Sequence, residues 1–194
     1  MSKSLPQTYK VKLIGTSPYL MHNVRLANPL DPFTKTLKQL TGKRNKTDED
    51  HEACAHAEFL GGLYGANDQV YIPGRQLDAA MLVAAKTKKL GKQLQRGVWV
   101  LGEELIMEFK GSKDPEQLYV NVDHRDIRPV NISGRKIMRC RPIFREWSTI
   151  AEILIDEQMM NLRDVEDILK IAGQMVGLGE LRPRYGRFDV QVIR

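Results

Sequence analysis

The chain has 194 residues, 42% of them hydrophobic and 28% charged, with a formal net charge of +6. That suits one well-cored domain with sizeable insertions better than two independent ones, and the basic balance favours an acidic polymer as partner. No apolar run approaches the ~20 residues that cross a bilayer, Met1-Ser2-Lys3-Ser4-Leu5-Pro6 lacks a signal-peptide core, and Cys54 and Cys140 have neither disulfide-framework nor metal-cage spacing, so a cytoplasmic protein with reduced cysteines is expected.

Thr8 to Ile14 alternates, with Tyr9, Val11 and Leu13 on one face and Lys10 and Lys12 on the other, which predicts a half-buried opening strand ending at Gly15. From Thr16 to Lys46 the prolines, Gly42 and several asparagines mark a long irregular insertion, interrupted by a short helix that Asp31 caps and Pro32 begins. Thr47 followed by Asp48, Glu49 and Asp50 opens a helix with a cap and acids against its dipole, and Gly61-Gly62 stops it. Gln69 to Ile72 is a short strand, and Pro73-Gly74 turns into an alanine-rich helix from Arg75 to Lys86 with Leu77 and Met81 on its apolar stripe.

Gly97 to Leu101 and Glu104 to Phe109 are expected to be strands joined by a turn at Gly102, with Leu118 to Val122 a further strand. The segment Arg125 to Arg141, broken by Pro129 and Ser133-Gly134, is expected to be an exposed hairpin or arm. Phe144 to Asp156 is a long strand with Trp147, Thr149, Ala151, Ile153 and Ile155 on one side. Asn161 caps a helix whose stripe runs Leu162, Val165, Ile168, Leu169, Ala172, Met175, and Arg187 to Ile193 is the closing strand. The sum is an α+β chain, a ferredoxin-like (RRM-like) antiparallel sheet with helices on one face. It is read as a single domain, 1–194, with insertions over about 16–46 and 110–143.

Charge is uneven along this frame. Between His124 and Arg145 seven basic residues face one acid, Asp126, a local excess of 7 − 1 = +6. By strand periodicity Arg139 and Arg141 share a face, and Arg135 begins the same row beside Lys136. A second cluster, Lys86 to Arg96, closes a helix. The third lies in Gly177-Leu178-Gly179-Glu180-Leu181-Arg182-Pro183-Arg184-Tyr185-Gly186-Arg187, where three arginines and a tyrosine sit among glycines. Guanidinium supplies a permanent, planar fork for phosphate, tyrosine a face on which a base can stack, and Gly177, Gly179 and Gly186 allow close approach.

Enzymatic signals are thin. His22 follows the first strand and could contact a ribose or phosphate, or act in a metal-independent ribonuclease. His51 and His56 are five apart, poor spacing for one helical face, so with Cys54 they make no convincing metal site. Asp31 is already explained as a cap, and no phosphate-loop, nucleophile-elbow or dinucleotide motif occurs. No cofactor and no metal are expected.

Three segments resemble the RAMP superfamily, the proteins of CRISPR effector backbones and guide-processing nucleases. Lys12 to Leu20 is similar to the family's opening strand and turn, Val70 to Leu77 to its strand, Pro-Gly turn and helix start, and Gly177 to Arg187 to its glycine-rich basic loop. The chain is also similar to bacteriophage proteins of like size. The resemblance implies a ferredoxin-like core that binds RNA through the glycine-rich loop and a basic hairpin, often as one subunit in a row along the strand. The expected partner is therefore single-stranded RNA, or single-stranded DNA, with Arg182, Arg184 and Arg187 on phosphates, Tyr185 stacking, and Arg135, Lys136, Arg139 and Arg141 clamping from the hairpin. The alternatives are a virus-encoded assembly or mimic protein docking an acidic protein partner, and a ribonuclease using His22. No membrane association is expected.

Overall fold

The computed structural model describes residues 5–66, 69–132 and 134–193, so Met1 to Ser4 and Ser133 of the expected hairpin turn lie outside the described residues. In chain order the strands are β1 (Gln7–Gly15), β2 (Tyr19–Leu20), β3 (Gly65–Ala66), β4 (Gln69–Pro73), β5 (Val98–Leu101), β6 (Glu104–Phe109), β7 (Arg125–Ile132), β8 (Arg135–Phe144), β9 (Trp147–Ile155) and β10 (Phe188–Ile193). The helices are α1 (Pro32–Thr41), α2 (Asp48–Gly62), α3 (Gly74–Thr87), α4 (Gly91–Gly97), α5 (Pro115–Val120) and α6 (Leu162–Ile171). The chain is mixed α/β with antiparallel sheets. It divides into two compact units, one of residues 1–19, 69–110 and 145–194, the other of 20–68 and 111–144. Most of both expected insertions, together with α2, makes up the second.

In the first unit the strand order is β10-β1-β9-β6-β4, with β5 also on β9. Alternation drives this sheet. On β9 Trp147, Thr149, Ala151, Ile153 and Ile155 are buried while Ile150 is exposed, and on β1 Val11 and Leu13 are buried while Lys10 is exposed and Lys12 half-exposed. The buried face is closed by α3, through Leu77, Met81 and Ala84, and by α6, through Val165, Ile168 and Leu169. Large apolar side chains buried in this way stabilise by roughly 1.5–3 kcal/mol each.

Three sequence expectations change here. β5 and β6 do not pair as a hairpin across Gly102; both run antiparallel to β9, β5 against Glu152–Ile155 and β6 against Trp147–Thr149. Gly102, at φ +85°, marks the break between them. The expected strand over 118–122 begins as α5, because Asp114 accepts hydrogen bonds from the Glu116 and Gln117 amides and Pro115 presets the first turn. Finally, the last helix does not carry its apolar stripe to Met175. After Ile171 it widens into a π-helical turn, Ala172–Val176, in which the Gly177 amide donates to the Ala172 carbonyl at 2.8 Å. The wider turn shifts the phase of the stripe, and Met175 is 70% exposed.

In the second unit β7 and β8 form a continuous antiparallel ladder from Arg125–Pro142 to Ile132–Arg135, so the expected hairpin exists. α2 packs against the base of β8, and Phe59, Leu118, Cys140, Ile143 and Phe144 are buried there. A capping box at Thr47 and Asp50 starts α2, and Asp31 accepts from the Phe33 amide at the start of α1.

Candidate nucleic-acid interface

Gly177, at φ +76°, ends the π-helical turn, and the chain then loops out and returns at Gly186, φ +71°. The base of the loop is clipped by backbone bonds: the Leu178 amide donates to the Gly186 carbonyl at 2.9 Å, and the Gly186 amide to the Pro18 carbonyl at 2.8 Å. Side chains complete the clip. Ser17 Oγ accepts from the Arg187 amide at 2.9 Å, and Gln76 Oε1 accepts both from the Gly179 amide at 3.0 Å and from the Tyr19 hydroxyl at 2.9 Å. Leu178 is fully buried beneath. Two glycines are required outright, since a Cβ on Gly186 would overlap the Leu178 carbonyl and one on Gly177 would lie 2.6 Å from the Tyr185 carbonyl.

Above this clip a turn is closed by the Arg184 amide on the Leu181 carbonyl at 3.1 Å. Arg182, Arg184 and Arg187 are all exposed, and Tyr185 is half-buried among them. None of the described carboxylates pairs with these three guanidiniums. The only acid in the loop is Glu180, so Gly177–Arg187 carries 3 − 1 = +2 on a backbone held at both ends. Such an arrangement can bind anions without the cost of ordering a free loop.

The hairpin has a different character. Arg135 and Lys136 are exposed at its far end, with Ile137 and Met138. Arg139 and Arg141, expected to extend that clamp, are not presented in the same way. Arg139 donates to Glu58 Oε1 at 2.5 Å, and the same carboxylate accepts from the Cys140 amide at 2.9 Å. Arg141 is only 7% exposed, opposite Asp126 in the ladder, and Asp126 is itself bonded to Arg128. Glu58 supplies the partner that Arg139 needs there, whereas Arg141 Nε and Nη1 are buried with no hydrogen-bond partner among the described residues, a costly arrangement for a charge. Arg125 lies over the Tyr119 ring, 5.0 Å from its centroid.

The enzymatic candidates gain no support from their surroundings. His22 is half-buried, and its carbonyl accepts from the Tyr64 hydroxyl at 3.3 Å. Partial burial pushes the Asp31 carboxyl up, but the Arg25 guanidinium and the Phe33 amide outweigh it and hold the group below its ordinary value, as suits a cap. Burial, followed by Glu58, pushes the Cys140 thiol up to about 11, which removes it as a nucleophile near neutrality. His56 bonds Glu116 at 2.7 Å, and no group of three or more metal-ligating side chains exists among the described residues. No helix among them is long and apolar enough to cross a membrane.

No protein-family model matches this chain, and no curated protein matches it in sequence. The three expected arginines and Tyr185 thus stand together on one loop by geometry alone. Sequence reasoning missed the residues that hold that loop, Ser17 and Gln76, and the partner that withdraws Arg139, Glu58. Ordinary polar residues 103, 170 and 81 positions from the atoms they bond leave no local signature.

Proposed function

We propose that this protein binds single-stranded nucleic acid, RNA in the first instance, through the loop Gly177–Arg187 and with little dependence on sequence. One observation carries the reading: Arg182, Arg184 and Arg187 are exposed and, among the described residues, without carboxylate partners, on a loop whose base is locked by four hydrogen bonds from its backbone amides while the Tyr19 hydroxyl fixes Gln76. Three fixed guanidiniums grip successive phosphates, and Tyr185 supplies ring surface for a base. On the second unit, Arg135 and Lys136 are exposed cations at the hairpin end.

The first unit supports a ferredoxin-like core. Taking β5 and β6 as one interrupted strand along β9, and setting aside α4 and the extra edge strand β4 on β6, the order is strand, α3, strand, strand, α6, strand, with the last strand beside the first and the first beside the third. That arrangement is also what the RAMP resemblance implies, and a row of subunits along one strand is the assembly it suggests.

The test is fluorescence anisotropy with labelled RNA 15-mers of differing sequence at low salt, beside matched DNA. RNA 15-mers of uridine, adenosine and cytidine in differing order should bind comparably, and the double variant R182A/R184A should weaken each of them alike, by more than tenfold. Absence of binding at low salt, or a double variant that binds as wild type, refutes the proposal; in the first case a protein partner becomes the better reading of the loop.

A further inference from the structure

Beside the arginine loop lies an open cleft of about 460 Å³, walled by Val83 of α3, Met175 of the π-helical turn, and Leu181 and Pro183 of the loop, with Glu180 and Arg182 on its lining. Three of these apolar side chains are unusually open: Met175 at 70%, Val83 at 48% and Leu181 at 42%. Leu181 also takes a left-handed backbone, φ +54°, which a branched side chain adopts only at a cost. Both departures turn apolar groups towards one place. The occupant must therefore offer flat apolar faces, a negative charge for Arg182 and donors for Glu180, whose carboxylate only accepts.

A nucleotide has all three. Among the bases, guanine alone carries two adjacent N–H donors, N1–H and the N2 amino group, on its Watson–Crick edge, and these match the two oxygens of a carboxylate as a guanidinium fork does. Adenine, cytosine and uracil each present an acceptor beside their donor there, which a carboxylate repels. Met175 suits the ring faces, since a thioether packs adaptably on aromatic surface. We propose that the cleft takes a guanine base of the bound strand, read by Glu180, with the adjoining phosphate on Arg182. The inference rests on the strand-binding reading above and adds a base preference to it.

The experiment compares, at fixed salt, an all-uridine RNA 15-mer with 15-mers carrying guanosine, adenosine or cytidine at every third position. Wild-type protein should bind the guanosine-bearing strand about fivefold or more tightly than the others, the range expected of one bidentate base contact. E180Q should abolish that gain while binding the uridine strand as well as wild type or better, since a like charge near the phosphates is removed. M175A should reduce the gain without changing uridine binding. Uridine binding with no guanosine gain, or a gain that survives E180Q, overturns the cleft assignment and leaves phosphate binding standing. Loss of binding to every strand overturns the underlying reading instead. Guanosine monophosphate that displaces the guanosine strand at micromolar concentration would assign the cleft to a free nucleotide and overturn the strand-borne form.

Discussion

Gly186→Ala tests whether the loop is preorganised as its hydrogen bonds indicate. Gly186 sits at φ +71°, and a methyl group there would occupy the space of the Leu178 carbonyl. Two costs follow. Holding alanine in a left-handed conformation takes about 1–2 kcal/mol, and relieving the overlap breaks the Leu178–Gly186 bond, leaving a buried polar group unsatisfied at about 1–3 kcal/mol. The sum, about 2–5 kcal/mol, is a large part of the roughly 5–15 kcal/mol that holds an ordinary domain together. Urea unfolding followed by circular dichroism should show that loss, and the thermal midpoint should fall by about 4–20 °C. The variant that remains folded should bind RNA more weakly, because the arginines are no longer held in one arrangement. A Gly186→Ala protein as stable as wild type would refute the clip and with it the claim of a preorganised loop.

Three further outcomes are expected. If three phosphates are neutralised, the logarithm of the RNA association constant should fall with the logarithm of salt at a slope of about −2, a loss of roughly 18-fold between 50 and 200 mM, and R182A/R184A should flatten it to about −0.7; anisotropy across a salt series checks this. Thiol titration with a disulfide reagent near pH 8 should modify Cys54 before Cys140, because burial, then Glu58, raises Cys140 to about 11, and Cys140 should react only on unfolding. The Lys43 ammonium, then the Thr47 amide, holds the Asp50 carboxyl below 3.8. Its contribution to stability is therefore present above the ordinary carboxylate value and lost as pH falls through the lowered one. Carbon-detected titration should give a midpoint below that of an ordinary aspartate, and the stability that D50N loses at pH 6 should shrink as pH falls through that midpoint.

Local chemistry was readable from the sequence wherever it is self-contained. The strand over Thr8–Ile14, the caps at Asp31, Thr47 and Asn161, and the glycine that ends the last helix each declare themselves within a few residues. The β7–β8 hairpin was legible for the same reason. What failed needed information from elsewhere in the chain. The partner of β5 and β6 is β9, some 40 to 60 residues on, and their closeness in sequence suggests a hairpin that the register does not contain. Met175 continues a helical stripe on paper, but one widened turn rotates it into the open. The basic run from His124 to Arg145 was misleading in its own way: a charge count does not record that Arg128 meets Asp126, that Arg139 meets Glu58, or that Arg141 is buried.

That difference separates two kinds of arginine. Arg139 stabilises a carboxylate that is almost wholly buried, Glu58 at 5% exposure, and removing the guanidinium leaves that charge with the Cys140 amide as its remaining hydrogen-bond donor. R139A should therefore destabilise by about 1–4 kcal/mol, towards the lower end because the arginine is itself partly exposed. Among the described residues Arg182 has no such partner, and it stands on an exposed turn, so R182A should change stability by less than about 0.5 kcal/mol. Binding should order the two variants the other way, R182A losing RNA affinity and R139A retaining it in any protein that stays folded. Urea midpoints and anisotropy on the same two preparations give both readings. If R139A weakens RNA binding as much as R182A does while leaving the urea midpoint unchanged, its guanidinium contacts the strand, and the assignment of Arg139 to Glu58 is wrong.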